Sequence, residues 1–212
     1  MPQPLSRVRS SATIILGNAG DRSLARHPEL AVLAIEAIAS WSNVESFMLN
    51  LFIQLMGGND SMAASVYLAL EAQSAKNAAI KTAAEIALKG REQELRVLYA
   101  ILSIIKTNEK ERNKLAHWTW GDSPDIPDAL LLVNPRTVIH ELDRSDIYVY
   151  RAPDFQTLIH ANDRLCGYGL KFNFVLRDHV ANRDDRLLAE LSSEPEIQQR
   201  LAQQKQSGES DP

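Results

Sequence analysis

The stretch REQELRVLYAILSIIKTNEKERNKLAHWTWG, Arg91 to Gly121, decides the fold. Leu95, Leu98, Leu102 and Ile105 recur at spacings of three and four, which sets them on one face of a helix. That apolar face runs into the charged segment Lys106 to Lys114, and the spacing predicts that the helix ends around His117 to Gly121. Continued, the same stripe reaches Glu109 and then Arg112. Arg112 therefore takes a core-facing or interface-facing azimuth, a costly place for a guanidinium unless it is paired or functional.

Working upstream, the residues from Ala75 to Leu88 form an alanine-rich helical stretch that stops at Gly90. Asn59, Asp60 and Ser61 offer N-cap side chains for a helix carrying Val66, Tyr67 and Leu70. Before them, Leu30, Leu33, Ala37, Trp41, Val44, Met48, Leu51 and Leu55 read as one long helix, with Pro28 in its first turn and Gly57-Gly58 at its end. Residues 1–27, rich in Ser, Arg and Gly, are expected to be a flexible arm.

Downstream of Gly121 the pattern changes. Ala129 to Val133, Thr137 to Leu142 and Asp146 to Tyr150 look like strands of an antiparallel meander within residues 128–151. Helical spacing returns after Pro153 with Phe155, Leu158, Ile159 and Leu165. Residues 181–212 are polar and expected to be largely disordered. The predicted architecture is thus mainly α: a single helical-bundle domain over 28–180, with a small antiparallel β insertion between the Arg91–Gly121 helix and a C-terminal helix.

The 212 residues carry a net charge of −4, a pI near 5.8 and 45% apolar residues. This balance suits a buried core and excludes a general nucleic-acid coat, so any nucleic-acid contact must be local. One cysteine, Cys166, excludes an internal disulfide and a Cys-rich zinc site, and reads as a small buried hydrophobe. The longest charge-free run, Ser46 to Asn59, is fourteen residues, short of the roughly 18 that span a bilayer. The apolar run Thr13 to Leu16 is too brief for a signal-peptide core. A cytoplasmic protein with no membrane partner is expected.

Several motifs are missing. No Gly-Lys-Ser/Thr closes a phosphate loop, so the glycines of LGNAGD, Leu16 to Asp21, read as a turn. The segment HELDR at His140 lacks the second histidine of a zinc protease, and there is no Gly-x-Ser-x-Gly elbow. The five histidines show no metal-ligand spacing, so neither a metal nor a cofactor is expected.

What remains is Arg112-Asn113-Lys114-Leu115-Ala116-His117. It resembles the Arg-x(4–6)-His motif of the HEPN domain superfamily of helical bundles, with the usual polar residue after the arginine and the motif at the end of a late helix. The resemblance covers roughly Pro28 to Gly121. It implies a metal-independent endoribonuclease, often a toxin or defence effector, acting as a homodimer whose two motifs line one cleft. The assigned catalytic residues are His117 for proton transfer, Arg112 to stabilise charge on the phosphorane oxygens, and Asn113 to orient either. The residue types fit attack of a ribose 2′-OH on the neighbouring phosphate, which needs a proton relay near neutral pH and a permanent forked cation. Supporting positions are Glu45, which an acidic residue in the first bundle helix suggests as an orienting group, with Glu109, Lys114, Trp118 and Thr119. Toxins of the family that pair with a nucleotidyltransferase antitoxin carry tyrosine where this chain has Thr119, which speaks against that partner and leaves any antitoxin or regulator unidentified.

Arg112 and His117 lie five apart, about 140° around a regular helix, so one chain alone brings them together only if the helix frays; a second copy removes the difficulty. A second Arg-x4-His match, Arg22 to His27, lies in the expected arm with serine after the arginine and is set aside. The other reading of the same residues is a non-catalytic helical module binding a nucleotide, RNA or a protein. In it, Glu109, Glu111 and Arg112 form a solvated charge cluster and His117 caps the helix. Trp118 and Trp120 either wall the end of a core or stack on bases; Trp41 and Tyr67 read as core.

Overall fold

The computed structural model describes residues 1–17, 22–136, 143–178 and 185–208. It is mainly α-helical with a small antiparallel sheet, as the periodicity predicts. The chain divides into two compact units rather than the one domain expected. The first comprises Met1–Trp41 and Asn108–Asn162, the second Ser42–Thr107 and Asp163–Pro212.

The first unit is built on a sheet of five strands: β1 (Gln3–Pro4), β2 (Ile15–Leu16), β3 (Thr119–Asp122), β4 (Leu130–Val133) and β5 (Ile147–Tyr150). Their order across the sheet is β1-β5-β4-β3-β2, with every neighbouring pair antiparallel. The two outer strands come from the first sixteen residues. Those residues are not a free arm: they supply both edges of the sheet, Gln3 opposite Val149 and Ile15 opposite Asp122. Two-residue edges, one ending in Pro4, present few unpaired backbone groups for further pairing. Gly121 is required opposite β2, because a Cβ there would lie 2.7 Å from the Ile15 carbonyl oxygen.

Strand alternation explains why all four residues of β4 are buried. Leu131 and Val133 face a layer with Ile147, Val149, Leu5 and Ala12, and Val8 on the helical turn α1 (Leu5–Val8) packs against it. Leu130 and Leu132 face the other way, toward Tyr150, Phe155, Leu115, Ala34 and Ala37. The last two belong to α3 (Pro28–Ala39), which follows the short α2 (Ser23–Arg26). Removing each of the Leu, Ile, Val and Phe side chains among these from water contributes about 1.5–3 kcal/mol. The middle run of the predicted meander, Thr137 to Leu142, lies outside the described residues; among the described ones, β4 pairs with β5 and with β3, the latter in a stretch predicted as the end of a helix.

The predicted single helix from Pro28 to Leu55 is two: α3 and α4 (Trp41–Met56). Ser40 separates them. Its hydroxyl donates to the Ala37 carbonyl at 3.2 Å, and Asn162 Nδ2 donates to Ser40 Oγ at 2.9 Å and to the same carbonyl at 3.3 Å. A polar anchor of this kind diverts carbonyls from the helical ladder.

The second unit is helical. It holds α4 after Trp41, α5 (Asp60–Leu68) and α6 (Gln73–Ala87), with parts of α7 (Glu92–His117) and α8 (Ala152–Asp178). The predicted boundaries hold where they rest on local chemistry. Asn59 Oδ1 accepts from the Met62 amide at 3.0 Å, and Gly57 and Gly90 follow their helices at φ +58° and +79°. Within the polar C-terminal stretch, the described residues 185–208 are helical, correcting the disorder expected of them: α9 (Asp185–Ser193) and α10 (Pro195–Gly208) bury Leu188, Leu191 and Ile197. Ion pairs Lys171–Glu190 at 2.6 Å and Arg164–Glu196 at 2.8 Å border this contact.

Candidate functional site

The last turns of α7 rise from Leu115, which is buried under Leu130 and Leu132 of the sheet. This anchoring fixes the positions of the residues around it. Lys114 lies with its ammonium 2.7 Å from Glu111 Oε1, 5.0 Å from the centroid of Tyr148 and 5.6 Å from that of Trp118. The fully buried Tyr150 donates its hydroxyl to Glu111 Oε2 at 3.4 Å. Burial, reinforced by the Glu111 carboxylate, drives the Tyr150 phenol far above its ordinary pKa and keeps it a donor. The end of α7 is thereby tied to β5 by a hydrogen bond and by the Lys114 ammonium over the Tyr148 ring. Tyr148 and Tyr150 were not read from the sequence as partners of the motif, since they carry no more signal than alternating strand residues.

Within that frame, Arg112 is half-buried and its Nη1 donates to Asn113 Oδ1 at 3.1 Å. Its Nε is buried with no acceptor, and so is Asn108 Nδ2 one turn earlier on the same helical face. Two donors without acceptors are expensive inside a protein and mark a place where an acceptor is wanted. His117, the last residue of α7, is exposed, and no hydrogen bond joins it to Arg112. Its imidazole is open to exchange protons with solvent or with a second molecule.

The supporting positions divide. Trp118 packs half-buried beside Tyr148, ring centroids 5.9 Å apart, and Trp120 beside Phe155 at 6.3 Å, so both wall the core as well as bordering solvent. Thr119 pairs with Val133 in the sheet. Glu109 is half-buried on α7 in the first unit, whereas Glu45 is an exposed residue of the second. There the Tyr67 phenol is pushed up by burial and then by the Glu45 charge. Trp41 and Tyr67 are buried, as expected of core residues; Cys166 is only half-buried, and burial raises its thiol pKa.

A second constellation surrounds Asp122 and draws its partners from the Arg22–His27 stretch set aside above. Asp122 Oδ2 accepts from Arg26 Nε at 2.9 Å, Oδ1 accepts from Arg26 Nη2 and from Ser23 Oγ, the latter at 2.9 Å, and His27 Nε2 lies 3.7 Å from Oδ2. The hydrogen bonds from Arg26, with that of Ser23 and the nearby cationic charge, outweigh burial and hold the Asp122 carboxyl below the usual carboxylate range. This cluster locks α2 onto β3. Beside it, α2, α3 and Trp120 enclose an open cleft of about 620 Å³.

Among the described residues, no group of three or more His, Cys, Asp or Glu side chains is placed to hold a metal ion, and no helix is long and apolar enough to cross a membrane. No family model, curated protein or solved structure matches this chain.

Proposed function

We propose that this chain is a metal-independent endoribonuclease of the HEPN type, a toxin or defence effector that cleaves RNA by attack of the 2′-OH on the adjacent phosphate. The observation that carries the reading is the state of Arg112: a half-buried guanidinium, fixed at Nη1 by Asn113, whose buried Nε has no acceptor. A phosphate oxygen accepts from the accessible part of this half-buried guanidinium, and the charge that develops on a phosphorane strengthens the bond as the reaction proceeds. His117, exposed at the helix end, exchanges the proton. Because Arg112 and His117 share no hydrogen bond, a homodimer supplies the second motif that closes the site. The open contact between these two residues also favours the second reading, a non-catalytic module of the same shape that binds RNA, a nucleotide or a protein.

The test is cleavage of mixed RNA by the purified protein in EDTA, beside His117→Ala and Arg112→Ala proteins of equal fold and oligomeric state. The expected result is cleavage by the parent alone, with 2′,3′-cyclic phosphate ends on the products. Cleavage that persists in both variants overturns the site, and binding without cleavage by the parent selects the module.

A further inference from the structure

We infer that the cleft between α2, α3 and β3 receives one unpaired base of a single-stranded RNA, with the neighbouring phosphate on Arg22. The walls carry the argument. Trp120 provides an aromatic face, Leu24, Ala25, Pro28 and Ala31 an apolar floor, and Arg22 a cation at the rim. Flat aromatic and apolar surface beside a cation is the combination with which proteins hold single strands, since every base has a π-face and every nucleotide a phosphate.

The cleft is a built feature. A Cβ on Gly17 would lie 2.4 Å from Ser23 Oγ, so only glycine lets the chain pass there, and the Gly17 amide donates to the Trp120 carbonyl at 3.1 Å. Its electrostatics are sorted as well. Asp122 is occupied by Arg26 and Ser23, which offsets its negative charge. Arg22 is exposed and forms no ion pair among the described residues. A ligand that brings an anion and a flat apolar ring satisfies both halves of this surface; inorganic phosphate satisfies one.

Position in the chain assigns the ligand to the proposed reaction. Trp120 stands three residues beyond His117, on the strand that leaves the motif helix. The identification of the ligand as RNA rests on the ribonuclease reading, and the cleft then holds a base flanking the cut.

The experiment is fluorescence anisotropy of a short labelled 2′-O-methyl oligoribonucleotide of mixed sequence, which has no free 2′-OH and is not cut. The parent binds. Arg22→Glu and Ala25→Glu, both at exposed positions, weaken binding about tenfold or more, and Arg22→Gln lowers the slope of log affinity against log salt by about 0.7. Trp120→Leu weakens binding by about tenfold and Trp120→Phe retains most of it. Circular dichroism establishes that each variant is folded. Affinity unchanged in both glutamate variants, or no binding by the parent, overturns the inference. Cleavage with binding indifferent to Arg22 and Ala25 overturns the cleft alone; Arg22-dependent binding without cleavage overturns the ribonuclease reading and leaves the cleft standing.

Discussion

Arg26 Nε donates to Asp122 Oδ2 at 2.9 Å across ninety-six residues of sequence, and Nη2 of the same guanidinium reaches the other carboxylate oxygen. The bidentate pair fastens the segment before the first long helix to the strand that follows the motif. It converts two stretches with no regular periodicity of their own into walls of one cleft. A planar fork on a carboxylate fixes orientation as well as distance, which a lysine at the same place would not do.

The pair makes this unit sensitive to acid. The Asp122 carboxyl is held below its ordinary range, so its contribution is complete above about pH 4, where unfolded aspartates are ionised, and is lost as pH falls through the lower folded value. Asp122→Ala should lower stability by about 2–4 kcal/mol at neutral pH, since the buried Ser23 hydroxyl loses its acceptor and Arg26 its counter-charge. Urea titrations at descending pH check this: the gap between parent and variant narrows toward low pH. A gap that stays constant down to the acid limit excludes the assignment.

The N-terminal residues are structural. Leu5 is fully buried among Leu131, Val133, Ile147 and Val149, and Arg9 and Thr13 are both held by Asp125, with Arg144 reaching the Ala12 carbonyl at 2.7 Å. Leu5→Ala should cost about 2–5 kcal/mol, and deleting residues 1–16 strips both edges from the sheet. Thermal unfolding followed by circular dichroism measures the first. Rapid proteolysis within residues 119–150 of the shortened chain reports the second; an unchanged midpoint and cleavage pattern would show that these residues merely cover the sheet.

The Arg112–Asn113 contact is expected to separate catalysis from binding. Asn113→Ala frees Nη1 without removing charge, so kcat should fall about tenfold with KM little changed. Arg112→Lys keeps the charge and loses the fork, and kcat should fall about a hundredfold. Steady-state kinetics on a fluorogenic RNA distinguish these effects. A larger loss from Asn113→Ala than from Arg112→Lys would reverse the roles assigned to the two residues.

Most of the longer helices, their caps and the candidate catalytic residues were legible in the chain because they rest on local chemistry. Apolar residues at spacings of three and four define the faces of α4, α6 and α7; Gly57 and Gly90 supply positive φ and Asn59 a side-chain cap within three residues of its target. Arg112, Asn113 and His117 share one helix, so their spacing alone gave their relative azimuths. The break at Ser40 was not legible, since it depends on Asn162, more than a hundred residues away. Nor were β1 and β2, because two residues cannot show a period and their register exists only against β5 and β3. The C-terminal helices read as disordered because their polar composition hides the few residues, Leu188, Leu191 and Ile197, that packing selects. Asp122 gives the clearest division: the sequence determined that a carboxylate follows Gly121, while only the tertiary structure decided that Ser23, Arg26 and His27 would meet it, because hydrogen bonds between distant segments are set by the pairing of strands and not by the residues beside them.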